Sequence, residues 1–163
     1  MTASSGYRRI LWPTDFSPLA KTALEHAVRL ADDHGAELVL FHALTPPTTY
    51  AAAEIPGKLL VDIADRNRAA AKQELDQLAR AIRRPNLRIH TVLAQGVAFD
   101  QILRVARKLR CDLIVIATHG RTGLAHVLMG SVAENVVRRA PCPVLTVRPS
   151  ELTHPQRGEG ETR

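Results

Sequence analysis

Asp112-Leu-Ile-Val-Ile-Ala-Thr-His-Gly-Arg-Thr-Gly123 sets a short apolar run directly against a glycine-rich loop. The run from Asp112 to Ala117, bounded by turn-forming residues, reads as a strand buried on both faces. Gly130-Ser131 follows, where a new helical pattern begins. A strand that feeds a glycine-rich loop and then a helix start is suited to holding phosphate. Glycine lets the backbone approach an anion closely, and unpaired N–H groups at a helix start point toward it.

Working outward, strand and helix patterns alternate along the whole chain. Arg8 to Pro13 carries Ile10-Leu11-Trp12 as a first strand. Ser17-Pro18 opens a helix, with Ser as N-cap and Pro at the first helical position. Ala20, Ala23, Leu24, Ala27, Val28 and Ala31 form its apolar stripe, and Gly35 stops it. Glu37 to Leu44 is a second strand. Thr45 to Gly57 holds three prolines and reads as a loop. A long helix is expected from Lys58 to Arg84, with Leu60, Ile63, Ala64, Asn67, Ala71, Leu75, Leu78 and Ile82 along one side, ended by Pro85. A third strand (Leu87 to Leu93), a turn at Gly96-Val-Ala98 and a third helix marked by Phe99, Ile102, Leu103, Ala106 and Leu109 lead into Asp112. Beyond Ser131 a fourth helix runs to Ala140-Pro141, and Pro143 to Val147 is the last strand. This order predicts an α/β fold, an open five-stranded parallel sheet with helices on both faces. Ligands of such sheets sit beyond the carboxyl ends of the strands, where the strand order reverses. The loop Pro13-Thr14-Asp15-Phe16-Ser17 and the loop after Ala117 both lie at that edge.

The chain has 163 residues, 45% of them hydrophobic and only 4% aromatic, so the core must be aliphatic. One domain is expected over residues 1–150, with a polar, disordered tail at 151–163. No apolar run is long enough for a bilayer. Met1-Thr-Ala-Ser-Ser-Gly6 has no charged-then-apolar pattern, and a cytoplasmic location is the expectation. The formal net charge is +6, carried by arginines that look scattered and lack interleaved aromatics. They read as solvated helix faces and helix ends, with neither nucleic acid nor membrane as partner. Cys111 and Cys142 each precede a strand, show no metal-ligand spacing and are expected to be reduced.

Four segments, taken in this order, resemble the universal stress protein family from Tyr7 to Arg148: Ile10-Leu-Trp-Pro-Thr-Asp-Phe-Ser17, Ala117-Thr-His-Gly-Arg-Thr-Gly123, Gly130-Ser-Val-Ala-Glu-Asn135 and Pro141-Cys-Pro-Val-Leu-Thr-Val147. The resemblance implies strand order 3-2-1-4-5. Family members that bind ATP carry Gly, two residues, Gly, nine residues, then Gly-Ser or Gly-Thr. Here Gly120 matches the second glycine and Arg121 to Met129 are the nine residues before Gly130-Ser131. Ala117 replaces the first glycine, which matters if that backbone needs positive φ or if ribose packs there.

The resemblance implies a nucleotide site made by Pro13, Thr14, Asp15, Ala43, Val92, Ala117, His119, Gly120, Arg121, Gly123, Gly130, Ser131 and Val132. Asp15 would face the ribose and any bound metal; its alternative is a local bond that helps cap the helix at Ser17. Ala43 would offer main-chain bonds to adenine. Val92 and the Gly96-Val97 turn would wall the ring, or Val92 is plain core. Gly120, Arg121, Gly123, Gly130 and Ser131 would cradle phosphate, with Ser131 as N-cap. His119 either donates to phosphate or bonds a nearby carbonyl, and Met129 packs on the sheet or on a partner. No side chain other than Asp15 suggests a metal ligand, and Mg2+ would arrive with ATP. There is no Gly-Lys-Ser/Thr loop and no Gly-x-Ser-x-Gly elbow, so little or no turnover is expected. Two alternatives stand beside this: a homodimeric interaction protein, paired through Pro143 to Val147, that has lost nucleotide, and a slow ATPase or self-phosphorylating protein using Ser131.

Overall fold

The computed structural model describes residues 6–46, 56–82, 84–118 and 129–148. Along them run β1 (Arg9–Pro13), α1 (Pro18–His34), β2 (Glu37–Leu44), α2 (Gly57–Ala81), β3 (Ile89–Gln95), α3 (Ala98–Lys108), β4 (Leu113–Ala117), α4 (Ser131–Arg139) and β5 (Val144–Val147). The strands form one parallel sheet in the order β3-β2-β1-β4-β5. The connections from β1 to β3 run one way across the sheet and those from β3 to β5 the other. Right-handed crossovers therefore put α1 and α2 on one face and α3 and α4 on the other.

Two aliphatic cores result. On the first face Ala20, Ala23, Ala27 and Ala31 of α1 are all buried. Four alanines on one stripe let the helix lie close to the sheet, where it packs with Ile10, Trp12, Leu38, Leu40 and Val115. The Trp12 indole N–H donates to the Ala20 carbonyl at 3.1 Å, so the large ring is buried without an orphaned donor. On the second face Leu11, Val39, Phe41, Ile114 and Ile116 pack against Ile102, Val105 and Ala106 of α3 and Ala133 and Val136 of α4. Cys111 and Cys142 belong to this second core, and both are free thiols.

The caps of α1 form as the sequence dictates. Ser17 is its N-cap, Pro18 opens the helix, and Gly35 closes it in the left-handed region at φ +62°. α2 departs from expectation. It stops at Ala81 rather than Arg84: Ile82 is already extended at φ −77° and ψ 96°, and Pro85 disfavours helical backbone at Arg84. Its apolar stripe is only partly used: Ala71 and Leu75 are buried, while Ile63 is 39% exposed. A helix of 25 residues is about 37 Å long, whereas the eight residues of β2 span about 26 Å, so about 11 Å of it, roughly seven residues, overhangs the sheet. β3 also shifts, to Ile89–Gln95, because its register is set by β2, where Leu38 to Leu44 pair with Ile89 to Gln95. The tail at 151–163 lies outside the described residues.

Candidate functional site

Three strand ends and three helix starts meet at the carboxyl edge. The first builder is the turn from β1 to α1. The Thr14 N–H extends the ladder by donating to the Phe41 carbonyl at 2.8 Å. The Thr14 hydroxyl accepts from the Phe16 N–H at 2.9 Å, the Asp15 carboxylate accepts from the Ser17 N–H at 3.0 Å, and the Ser17 hydroxyl accepts from the Ala20 N–H at 3.2 Å. His42 closes the ring of contacts with Nδ1 2.8 Å from the Thr14 carbonyl. A carbonyl can only accept, so Nδ1 carries the proton and donates. Phe16 lies at φ +64°, a left-handed conformation that costs a bulky residue about 1–2 kcal/mol. Its ring leans on His42 with centroids 4.4 Å apart. The turn is thus fixed before any ligand arrives, with the Asp15 carboxylate serving as a local acceptor within it.

The second builder is the start of α4. β4 is buried along its whole length and continues into Thr118, which is 1% exposed. The Thr118 N–H donates to the Val147 carbonyl at 2.9 Å, and the Gly130 N–H donates to the Thr118 carbonyl at 2.7 Å. The chain therefore returns at Gly130 to the point it left at Thr118. Gly130, at φ −68° and ψ 153°, is the N-cap of α4 and supplies no side-chain cap. The first bond of the helix runs from the Glu134 N–H to the Gly130 carbonyl at 3.0 Å. The amides of Ser131, Val132 and Ala133 precede it and have no partner within the helix. Here the sequence reading needs correcting: Ser131 is the first helical residue, not the cap, because the backbone is already helical at Ser131 and extended at Gly130. α1, by contrast, has its own Ser17 cap.

Ala117 ends β4 in ordinary extended backbone; Phe16 and Arg110 are the described non-glycine residues with positive φ. It is 8% exposed and packs in the α1-side core. The backbone there makes no demand for glycine.

These elements enclose a cavity of about 810 Å³. Pro13, Thr14, Asp15, Ala43, Ala117, Gly130, Ser131 and Val132 come together on its walls. Val92 does not: it packs against the second core, and Ala98 and Ile102 of α3 take the apolar wall instead. The reason is that β3 is the edge strand, one place further from the β1–β4 junction than β2. His119, Gly120, Arg121 and Gly123 lie outside the described residues, while Met129 packs on the second core as expected. The sequence reading missed His42, Phe16, Thr118, and the α2 face bearing Asn67, Ala71 and Glu74. That face could have been found, since positions 67, 71 and 74 share a side of one helix. Among the described lining residues there are two carboxylates, Asp15 and Glu74, and no Lys or Arg.

The model of the universal stress protein family matches residues 6–148. Universal stress protein MJ0531 of Methanocaldococcus jannaschii is 34% identical over 143 residues, covering 87% of this chain and 82% of that protein. The solved structure of the hypothetical protein MJ0577 superposes with a TM-score of 0.77 at 26% identity, covering 87% of this chain and 96% of the other. A universal stress protein solved in complex with cAMP is 27% identical, with a TM-score of 0.59 and coverage of 90% and 100%.

Proposed function

Because this chain belongs to the universal stress protein family, we propose that it holds ATP at the carboxyl edge of its sheet as a cytoplasmic stress-response protein, with little or no turnover. One observation carries this reading: the amides of Ser131, Val132 and Ala133, which have no partner within α4 and no side-chain cap from Gly130, open beside the cavity. Three amides at the positive end of a helix suit the phosphate tail. The apolar wall of Ala98, Ile102 and Ile116 suits a flat base, and the backbone at Ala43 is the place for its main-chain bonds. Asp15 would meet the tail through Mg2+, since two carboxylates among the described lining residues oppose a bare polyphosphate. The cAMP complex of a related protein supports adenine nucleotide as the ligand class. The described polar groups at the cavity are suited to positioning a ligand. No helix of the described residues is long and apolar enough to cross a membrane.

β5 favours a homodimer in addition. It is an edge strand, and Leu145 on it is 37% exposed, with Val137 of the adjoining α4 at 45%. An uncovered strand edge is a template for pairing with a second copy.

Calorimetry with ATP, ADP and AMP, each with and without Mg2+, tests the nucleotide. Saturable binding strongest for Mg-ATP is expected; no heat and no thermal shift for any nucleotide would overturn the proposal. Light scattering tests the dimer, and a monomer at all concentrations would refute that part.

A further inference from the structure

The charged helix surfaces are unequal on the two faces of the sheet. α1 and α2 carry seven Lys or Arg and seven Asp or Glu. The charges there balance in number; Lys72 pairs with Asp76 at 2.8 Å, and Arg84, just past α2, with Asp32 at 3.4 Å. The opposite face differs. α3 with the two residues after it, and α4, carry Arg104, Arg107, Lys108, Arg110, Arg138 and Arg139 against only Asp100 and Glu134. All six cations are exposed. Arg138 has a loose partner in Glu134 at 3.8 Å, but no described residue forms an ion pair with Arg104, Arg107, Lys108 or Arg110. In the sequence they form two clusters, 104–110 and 138–139, and the fold brings the two to one side of the sheet. Arg139 links the two helices, its guanidinium 5.4 Å over the Phe99 ring of α3.

Such a surface is not self-stabilising. Arg104 lies three and four residues from Arg107 and Lys108, and like charges at those spacings weaken a helix. The helix dipole rewards cations in a last turn, which covers Arg107, Lys108, Arg138 and Arg139. Arg104 lies before that turn and Arg110 beyond the helix, so the dipole leaves both unexplained. The composition narrows the partner. Five of the six cations are Arg, whose planar fork grips phosphate oxygens in pairs. Arg104, Arg107 and Lys108 fall within about 6 Å of helix axis, a charge density comparable with one phosphate per about 3.4 Å of duplex strand. Every exposed residue of α3 is charged and Val137 is the one large apolar side chain that α4 exposes, too little to insert among acyl chains, which disfavours a membrane. Phe99 is half-buried beneath Arg139, and α3 and α4 expose no aromatic ring for unpaired bases to stack on.

We propose that the α3–α4 face binds the phosphate backbone of duplex nucleic acid, without sequence preference, on a surface separate from the nucleotide cavity. Fluorescence anisotropy of the full chain with two labelled DNA duplexes of about 20 base pairs and unrelated sequence tests this. Equal affinity for both is expected, with log K falling against log salt at a slope of about −4 to −5 if about five phosphates are neutralised. That amounts to a loss on the order of 10²–10³-fold between about 50 and 200 mM salt. The variant R104E/R107E should flatten the slope by about 2 and weaken binding at least about tenfold, while R104K/R107K, which keeps the charges, retains the slope. Arg29→Glu, exposed on α1, should leave binding unchanged. The wild-type slope decides the matter even if the reversal variant folds poorly. A slope shallower than about −2 would overturn the proposal. So would equal binding by wild type and a folded R104E/R107E, or binding to phosphatidylserine vesicles with none to either duplex.

Discussion

Replacing Ala117 by Gly restores the glycine of the ATP-binding motif, and the structure says that this should not improve the site. Ala117 is the last residue of β4, in extended backbone with negative φ, and 8% exposed. Glycine in a strand costs about 0.5–1 kcal/mol in backbone entropy relative to alanine. Its missing methyl removes about 0.8 kcal/mol of burial from the α1-side core. Together the loss is about 1.5 kcal/mol, which lowers the midpoint of thermal unfolding by about 3–6 °C for a chain of this size. The affinity for Mg-ATP should stay within about threefold, since neither φ nor any side-chain bond changes at the cavity. Ala117→Val probes the opposite direction. Two added methyls in a packed strand end should cost about 1–3 kcal/mol and crowd the cavity wall. Scanning calorimetry and isothermal titration of the three proteins would check both numbers. A tenfold gain in affinity for the glycine variant would refute the reasoning, since alanine would then have been obstructing the site.

Three further outcomes follow from particular contacts. Ser17→Ala removes the acceptor for the Ala20 N–H and should cost about 1 kcal/mol, seen as a midpoint about 2–4 °C lower in thermal unfolding. Gly96 sits at φ +141°, and a Cβ there would meet the Gln101 amide nitrogen at 2.7 Å, so Gly96→Ala should cost about 1–3 kcal/mol in denaturant titration. Burial pushes the Cys111 thiol up to about 12, with the nearby Cys142 thiol adding to the shift. Cys111 should therefore resist iodoacetamide at neutral pH in the folded protein. Because the folded value lies above the unfolded one, the folded state binds the extra proton. Stability is full below about pH 9 and falls as pH rises toward 12, by at most about 1.4 kcal/mol per pH unit for this thiol; stability that holds flat to pH 11 would contradict it.

Local chemistry alone determined much of this protein. The alanine stripe of α1, the Ser17-Pro18 start and the Gly35 stop act within a few residues, so periodicity and capping rules find them directly. The strands from Ile10 to Trp12 and Leu113 to Ala117 are apolar runs that only a doubly covered sheet can bury. Alternation of the two patterns left a parallel sheet as the consistent arrangement, and the Pro13–Ser17 loop could be assigned to its carboxyl edge before any coordinate.

What depended on distances between remote segments could not be read this way. That Thr118 bonds both Val147 and Gly130, so that α4 opens its amides onto the β1 turn, is a fact of three-dimensional closure. The exclusion of Val92 from the cavity, the overhang of α2 and the part played by His42 follow from strand register and helix length, which no single segment encodes. The arginines show the same division. Sequence supplies their number, but their concentration on one face arises because α3 and α4 both cross on that side of the sheet. Charge acts through space, and chain order gives the cluster at 104–110 but not its meeting with Arg138 and Arg139.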